Sequence, residues 1–277
     1  MSKNNVSKDN FFNSINLGIR DVLILNGCFI IFIIIYAAIY LLVQKMFGSQ
    51  IIIEYRDVLF YFFFGIIIFI VYKYKLRDFK FFGFQQLNLR RNIKFVLAII
   101  FFFYFTKFCV QLLLGKYLLL ANDEDIKFFT SHSIWIFLLH SIITITIGPV
   151  IEETLSRGFF YPPLRRKFGV FGAIMISSLI FTLWHPGLNI KGHVGIFLTG
   201  VLLAYIYEKT ASLIPPIIAH VIINFSWIIA ILYKYLESEG KAIIKPVHFL
   251  SSLAIVYLSL SLVFYLSYKS DKIVITT

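Results

Sequence analysis

The sequence predicts an all-α, polytopic integral membrane protein with about eight transmembrane helices, and three observations carry that expectation. Hydrophobic residues fill 59% of the 277 positions and charged residues only 14%, where a soluble domain has roughly a quarter of its residues charged. Apolar blocks recur from Val22 to Tyr268 with no Pro-rich or Ser-rich linker between halves, so residues 1–277 read as a single transmembrane domain. The net charge of +12 comes from Lys and Arg gathered in short clusters between those blocks rather than along one stripe. That pattern argues against nucleic acid and for membrane lipids with anionic headgroups as the basic residues' partners.

Stretches able to cross about 30 Å of hydrocarbon lie at 22–43, 58–73, 95–115, 134–152, 168–186, 194–208, 212–233 and 247–268. The first follows a largely polar segment of 21 residues, lacks a small-residue cleavage pattern and exceeds a signal-peptide core, so it reads as a retained helix. With the N-terminus inside, 17 of the 26 Lys and Arg fall on inner segments and 8 on outer ones, Lys107 lying within the third span. The positive-inside rule then puts both termini in the cytoplasm. Cys28 and Cys109 sit in apolar runs and are expected to pack as small buried hydrophobes, without a disulfide or thiolate metal site.

Several polar residues interrupt these spans. The fourth ends in Gly148-Pro149-Val150-Ile151-Glu152-Glu153-Thr154-Leu155-Ser156-Arg157, the fifth in Phe181-Thr182-Leu183-Trp184-His185, and the seventh carries His220-Val221-Ile222-Ile223-Asn224. An ionisable group at depth costs roughly 2.5 to 3.5 kcal/mol on insertion scales, so such residues serve one another or a substrate. A hairpin turn is expected at Tyr161–Lys167, where prolines and a basic cluster coincide. At 1.5 Å per residue, Glu152 would lie roughly 15 Å and His185 roughly 25 Å above it, with His220 roughly 12 Å from the turn at 209–211. Three helices could thus bring Glu152, His185 and His220 to one depth.

Spacing within each motif adds detail. Glu153 and Arg157 are four apart and can meet on one helix face, while Glu152 projects about 100° away. One carboxylate can be held by the arginine while the other stays free. His220 and Asn224 share a face, so the amide could orient the ring or donate to an oxyanion. A free carboxylate suits a general base. Two histidines could position its water directly or, with Glu152, form a zinc shell that activates that water, and spacing does not choose between the two. Phe181 reads as core beside His185, and Ser177-Ser178 as helix packing. His132, His140, His193 and His248 stay outside the site. No Gly-x-Ser-x-Gly elbow or Cys–His pairing suggests another nucleophile.

These residues resemble the CAAX protease and bacteriocin-processing (CPBP, or Abi) family of intramembrane peptidases, whose signature is Glu-Glu-x-x-x-Arg, then Phe-x-x-x-His, then His-x-x-x-Asn. The chain has Glu152-Glu153-x-x-x-Arg157, Phe181-x-x-x-His185 and His220-x-x-x-Asn224 in that order, and the resemblance covers residues 134–230. It implies hydrolysis of a peptide bond in a membrane-associated protein or peptide. Glu152 would be the activating base, His185 and His220 would position the water or a metal, and Asn224 would steady the oxyanion. Glu153 and Arg157 would be a supporting pair. Eukaryotic members trim prenylated CAAX proteins, whereas bacterial members are linked to bacteriocin immunity, peptide maturation and membrane signalling. A composition rich in Phe, Ile, Tyr and Lys fits an AT-rich genome and so a bacterial plasma membrane protein.

Two other classes of function compete with catalysis. A protein of the same fold could act by binding, as an immunity factor or a partner of a membrane sensor kinase, although the full motif set favours an enzyme. A transporter could use buried Glu, His and Arg as an ion path, but the halves show no inverted repeat.

Overall fold

The structure is a computed structural model that describes residues 3–47, 50–73, 95–97, 100–101, 134–185 and 190–238. Its elements are α1 (Lys3–Ser14), α2 (Ile19–Phe47), α3 (Gln50–Val71), α4 (Ile134–Ile145), α5 (Ile147–Glu153), a π-helical stretch (Thr154–Phe160), α6 (Tyr161–Leu183), α7 (Ile190–Thr210) and α8 (Ile214–Ser238). Among the described residues no β-strand occurs, so the fold is all-α. Helices α1 to α7 and α8 up to His220 form one compact unit, and α8 from Val221 onward belongs to a second.

Apolar outer faces follow from the composition. Leu23, Ile30, Ile31, Ile34 and Leu42 on α2 are exposed large hydrophobics, a surface that only hydrocarbon solvates well. Among the described residues, Ile19–Ile39, Leu138–Leu183 and Ile214–Leu232 are long and apolar enough to cross a membrane, which makes this an integral membrane protein. The second of these is 46 residues long, twice the ~20 that one crossing needs, and it covers most of the fourth and fifth expected spans. Helix α7 coincides with the expected 194–208, and α3 contributes a shorter apolar run, Tyr61–Val71, to the expected 58–73. The expected spans at 95–115 and 247–268 lie outside the described residues, apart from helical turns at 95–97 and 100–101. Cys109 also lies outside them. Cys28 is exposed rather than buried, because it sits on the outward face of α2.

The reversal between the fourth and fifth spans is not at Tyr161–Lys167, which is helical throughout. It falls at Gly169, where φ 72 and ψ 179 break α6, a conformation open essentially to glycine alone. The prolines explain the shift. Pro162 and Pro163 occupy the first turn of α6, where a missing N–H is tolerated, so they start a helix instead of ending one. Just before them the Tyr161 N–H reaches back five residues to the Ser156 carbonyl, the wider bonding of a π-helix.

The basic cluster beyond the prolines also departs from the expected lipid-facing role. Arg165 binds Glu208 through Nε at 2.7 Å and Nη2 at 3.0 Å, and Nη2 also donates to Asp9 at 2.8 Å. Arg166 donates to the carbonyls of Phe12, Ile15 and Leu17. Together they fasten α1, whose Phe12 is buried against the rings of Tyr161 and Tyr207 at 5.8 and 5.4 Å. The polar N-terminal segment is therefore a docked helix that closes one end of the unit.

Candidate active site

Gly169 sets the register that matters. Glu152 lies 17 residues before it and His185 lies 16 after it, so an antiparallel hairpin brings the two level. The third group, His220, comes from α8, one and a half turns after its start, with Pro215 and Pro216 in the first turn where they cost no interior hydrogen bond.

The histidine Nδ1 atoms are both committed. Nδ1 of His185 is 2.8 Å from the Phe181 carbonyl oxygen, and Nδ1 of His220 is 3.0 Å from Oε1 of Glu153. A carbonyl and a carboxylate only accept, so each Nδ1 carries a proton and, in the neutral ring, each Nε2 presents its lone pair. Both Nε2 atoms face Oε2 of Glu152, at 3.7 Å from His185 and 3.8 Å from His220. That oxygen has no hydrogen-bond partner among the described residues. Three acceptors therefore converge in a buried place, an arrangement that calls for a proton donor between them.

The second carboxylate is structural in its surroundings. Oε1 of Glu153 receives Nη1 of Arg157 at 2.9 Å, and both side chains are fully buried. The guanidinium also donates through Nη2 to the Gly200 carbonyl at 2.7 Å and stacks 4.8 Å from the Phe181 ring. Phe181 in turn packs against both imidazoles, at 4.8 Å from His185 and 5.8 Å from His220. It is a shared floor under the two histidines and the arginine, more than the plain core position read from the sequence.

Glu152, Glu153, Arg157, His185 and His220 thus come together in one unit. Asn224, one turn beyond His220 on α8, belongs to the second unit and is not among the residues that this unit brings together. Three contributors went unseen in the sequence. Tyr61 donates its hydroxyl to Oε1 of Glu152 at 2.7 Å, and nothing distinguished it within an aromatic-rich span. Gly148 gives Tyr61 room, since a Cβ there would lie 2.7 Å from the tyrosine hydroxyl. Gly200 lets α7 approach α6, since its Cβ would lie 3.0 Å from Cβ and 3.1 Å from Cα of Ser178. A small residue facing buried serines is the signal that could have found it.

The close approach at Gly200 gives a direct prediction. Gly200→Ala must push the two helices apart and draw the carbonyl away from Arg157, so overpacking should cost roughly 1 to 3 kcal/mol. Thermal unfolding in detergent should show a lower Tm than wild type, and an unchanged Tm would mean that the approach is not tight.

Zinc was one of the options for this cluster. The donor types, a carboxylate and two imidazole nitrogens, suit that metal, which would draw them closer together than they stand here. Zinc about 2.0 Å from each donor in a tetrahedron sets neighbouring donors about 3.3 Å apart, closer than the 3.7 and 3.8 Å found. Among the described residues no group of three or more His, Cys, Asp and Glu is placed to hold a metal ion.

Comparison with known proteins adds to this geometry. Residues 133–226 match the model of the Rce1-like family, described as type II CAAX prenyl endopeptidase Rce1-like. A protein of Bacillus subtilis (strain 168), YdiL, named as a candidate membrane peptidase, is 31% identical over 103 residues, which are 36% of this chain and 41% of that protein. The chain therefore spans less than half the length of that relative. No solved structure matches. The matched stretch contains all three motifs, so over residues 133–226 the chain is similar to the CAAX protease and bacteriocin-processing family.

Proposed function

We propose that the chain is an intramembrane endopeptidase that hydrolyses a peptide bond of a membrane-associated protein or peptide with a water activated by Glu152. The observation that carries this reading is the partnerless Oε2 of Glu152 facing two imidazole Nε2 atoms. A water about 2.8 Å from such atoms has two hydrogens, one for Oε2 and one shared between the two Nε2 atoms, and a lone pair left for attack. Glu152 takes the water's proton as its oxygen bonds to the peptide carbonyl carbon, and His185 and His220 fix the water's orientation. The resulting oxyanion falls to Asn224, by the family resemblance. Collapse breaks the C–N bond, and the leaving amine recovers the proton from Glu152. No redox change is involved, and the enzyme ends as it began.

In this reading Glu153 and Arg157 hold His220 and the hairpin in place and do not meet the peptide. The 17 to 8 bias of basic residues supports cytoplasmic termini in a bacterial plasma membrane, and peptide maturation or self-immunity are the roles such a peptidase would serve.

The test is cleavage of a membrane-peptide library by purified chain in nanodiscs, with and without a chelator. Wild type should release products whether or not chelator is present. His185→Ala should lower the rate roughly 100-fold or more, within the range of one acid–base or positioning group. His185 suits this test because its side chain is 29% exposed and its Nε2 stands 3.7 Å from the Glu152 carboxylate, beyond hydrogen-bond length, so the variant should stay folded. Loss of cleavage on chelation would replace the directly held water with a metal-bound one, and no cleavage by wild type would hand the fold to a binding role.

A further inference from the structure

We infer that Tyr61 is a positioning residue that decides which oxygen of Glu152 acts as the base, an inference that deepens the peptidase reading and rests on it for its kinetic part. A glutamate carboxylate turns about a broad terminal torsion with nearly equivalent ends, so burial alone does not select one oxygen. Here the two ends differ. Oε1 accepts the Tyr61 hydroxyl at 2.7 Å, the length of a charge-assisted O–H···O bond, while Oε2 is left toward the histidines.

The surroundings of Tyr61 fix where its ring lies. Gly148 sits against the ring so closely that a Cβ would lie 2.7 Å from the hydroxyl and 3.0 Å from Cζ. The ring also lines an apolar cavity of about 460 Å³ with Gly65, Ile66, Phe69, Ile143 and Ile147. The donor comes from α3, 91 residues before its acceptor on α5. Packing of α3 against α5 is therefore built into the orientation of the base.

Tyr61→Phe removes the hydroxyl and little else. A hydrogen bond to a charged group carries about a tenfold or larger effect, so kcat should fall at least tenfold with KM unchanged, as expected when a group aligns the base without binding substrate. Gly148→Ala displaces the same hydroxyl by another route. Combining it with Tyr61→Phe should lose no more than the larger single loss, because both remove one interaction. A merely structural tyrosine would instead lower Tm in both variants and give additive losses.

A second readout needs no substrate. In infrared difference spectra the Glu152 carboxylate band, assigned by its loss in Glu152→Gln, should shift in Tyr61→Phe as the Oε1 bond disappears. A band that stays in place overturns the inference whether or not the chain cleaves peptides. Wild-type kinetics retained in Tyr61→Phe overturns it while leaving the peptidase reading intact. A wild type that cleaves nothing but shows the band shift upholds the positioning of Glu152 and removes only the peptidase reading.

Discussion

Arg157→Leu is expected to yield little folded protein. The guanidinium is fully buried and serves two partners at once, Glu153 at 2.9 Å and the Gly200 carbonyl at 2.7 Å, above the Phe181 ring. Leucine fills much of the volume but leaves the Glu153 carboxylate buried with, among the described residues, only the His220 Nδ1–H at 3.0 Å to answer it. Removing one partner of a buried ion pair costs roughly 3 to 5 kcal/mol, against a total stability of about 5 to 15 kcal/mol. Monodisperse protein after extraction, and its Tm where measurable, should both drop sharply. Arg157→Lys keeps the charge but not the fork that spans a carboxylate and a carbonyl, so its loss should be intermediate. The informative control is Arg157→Leu combined with Glu153→Gln. With no uncompensated charge left, part of the stability should return, and a double variant as poor as the single one would mean that the arginine acts through packing alone.

Much of this arrangement was legible in the sequence because membrane burial makes ionisable residues conspicuous. Glu152, Glu153, Arg157, His185 and His220 stand out against apolar neighbours, and the four-residue spacing of Glu153 and Arg157 gave their pairing directly. The register of the hairpin was not legible in the same way. Two adjacent prolines look like a turn, yet in the first turn of a helix they are neutral, and the reversal waits for Gly169. With the turn at Tyr161–Lys167, Glu152 and His185 would differ in depth by roughly 10 Å at 1.5 Å per residue. Moving it to Gly169 makes them level. The docking of α1 was hidden for a different reason. Arg165 and Arg166 match any anionic partner, and only the fold shows that Glu208, Asp9 and three backbone carbonyls supply it. Tyr61 was invisible because a single hydroxyl in an aromatic-rich span carries no spacing signal, and its acceptor lies 91 residues away.

Glu152→Gln should abolish cleavage while leaving the fold intact, and that combination is what separates the two adjacent carboxylates. The amide has the size of the carboxylate, and its oxygen can still accept the Tyr61 hydroxyl at Oε1. Its NH₂ would then face the two Nε2 lone pairs that Oε2 faces in wild type, so no buried acceptor is newly stranded and Tm should change little. What disappears is the proton acceptor, and loss of a general base lowers the rate roughly 100-fold to 10,000-fold. Glu152→Asp retains the charge but withdraws it by one methylene, and a misplacement of about 1 Å can itself cost about 100-fold. Glu153→Gln should behave in the opposite order. Its carboxylate balances the buried Arg157 and receives the His220 Nδ1–H, so stability should fall first, with activity following the folded fraction. Measuring rate and Tm on all three variants therefore assigns the base without reference to motif order. If Glu152→Gln still cleaves at the wild-type rate, the water is activated elsewhere, and the convergence of Glu152, His185 and His220 serves binding instead of hydrolysis.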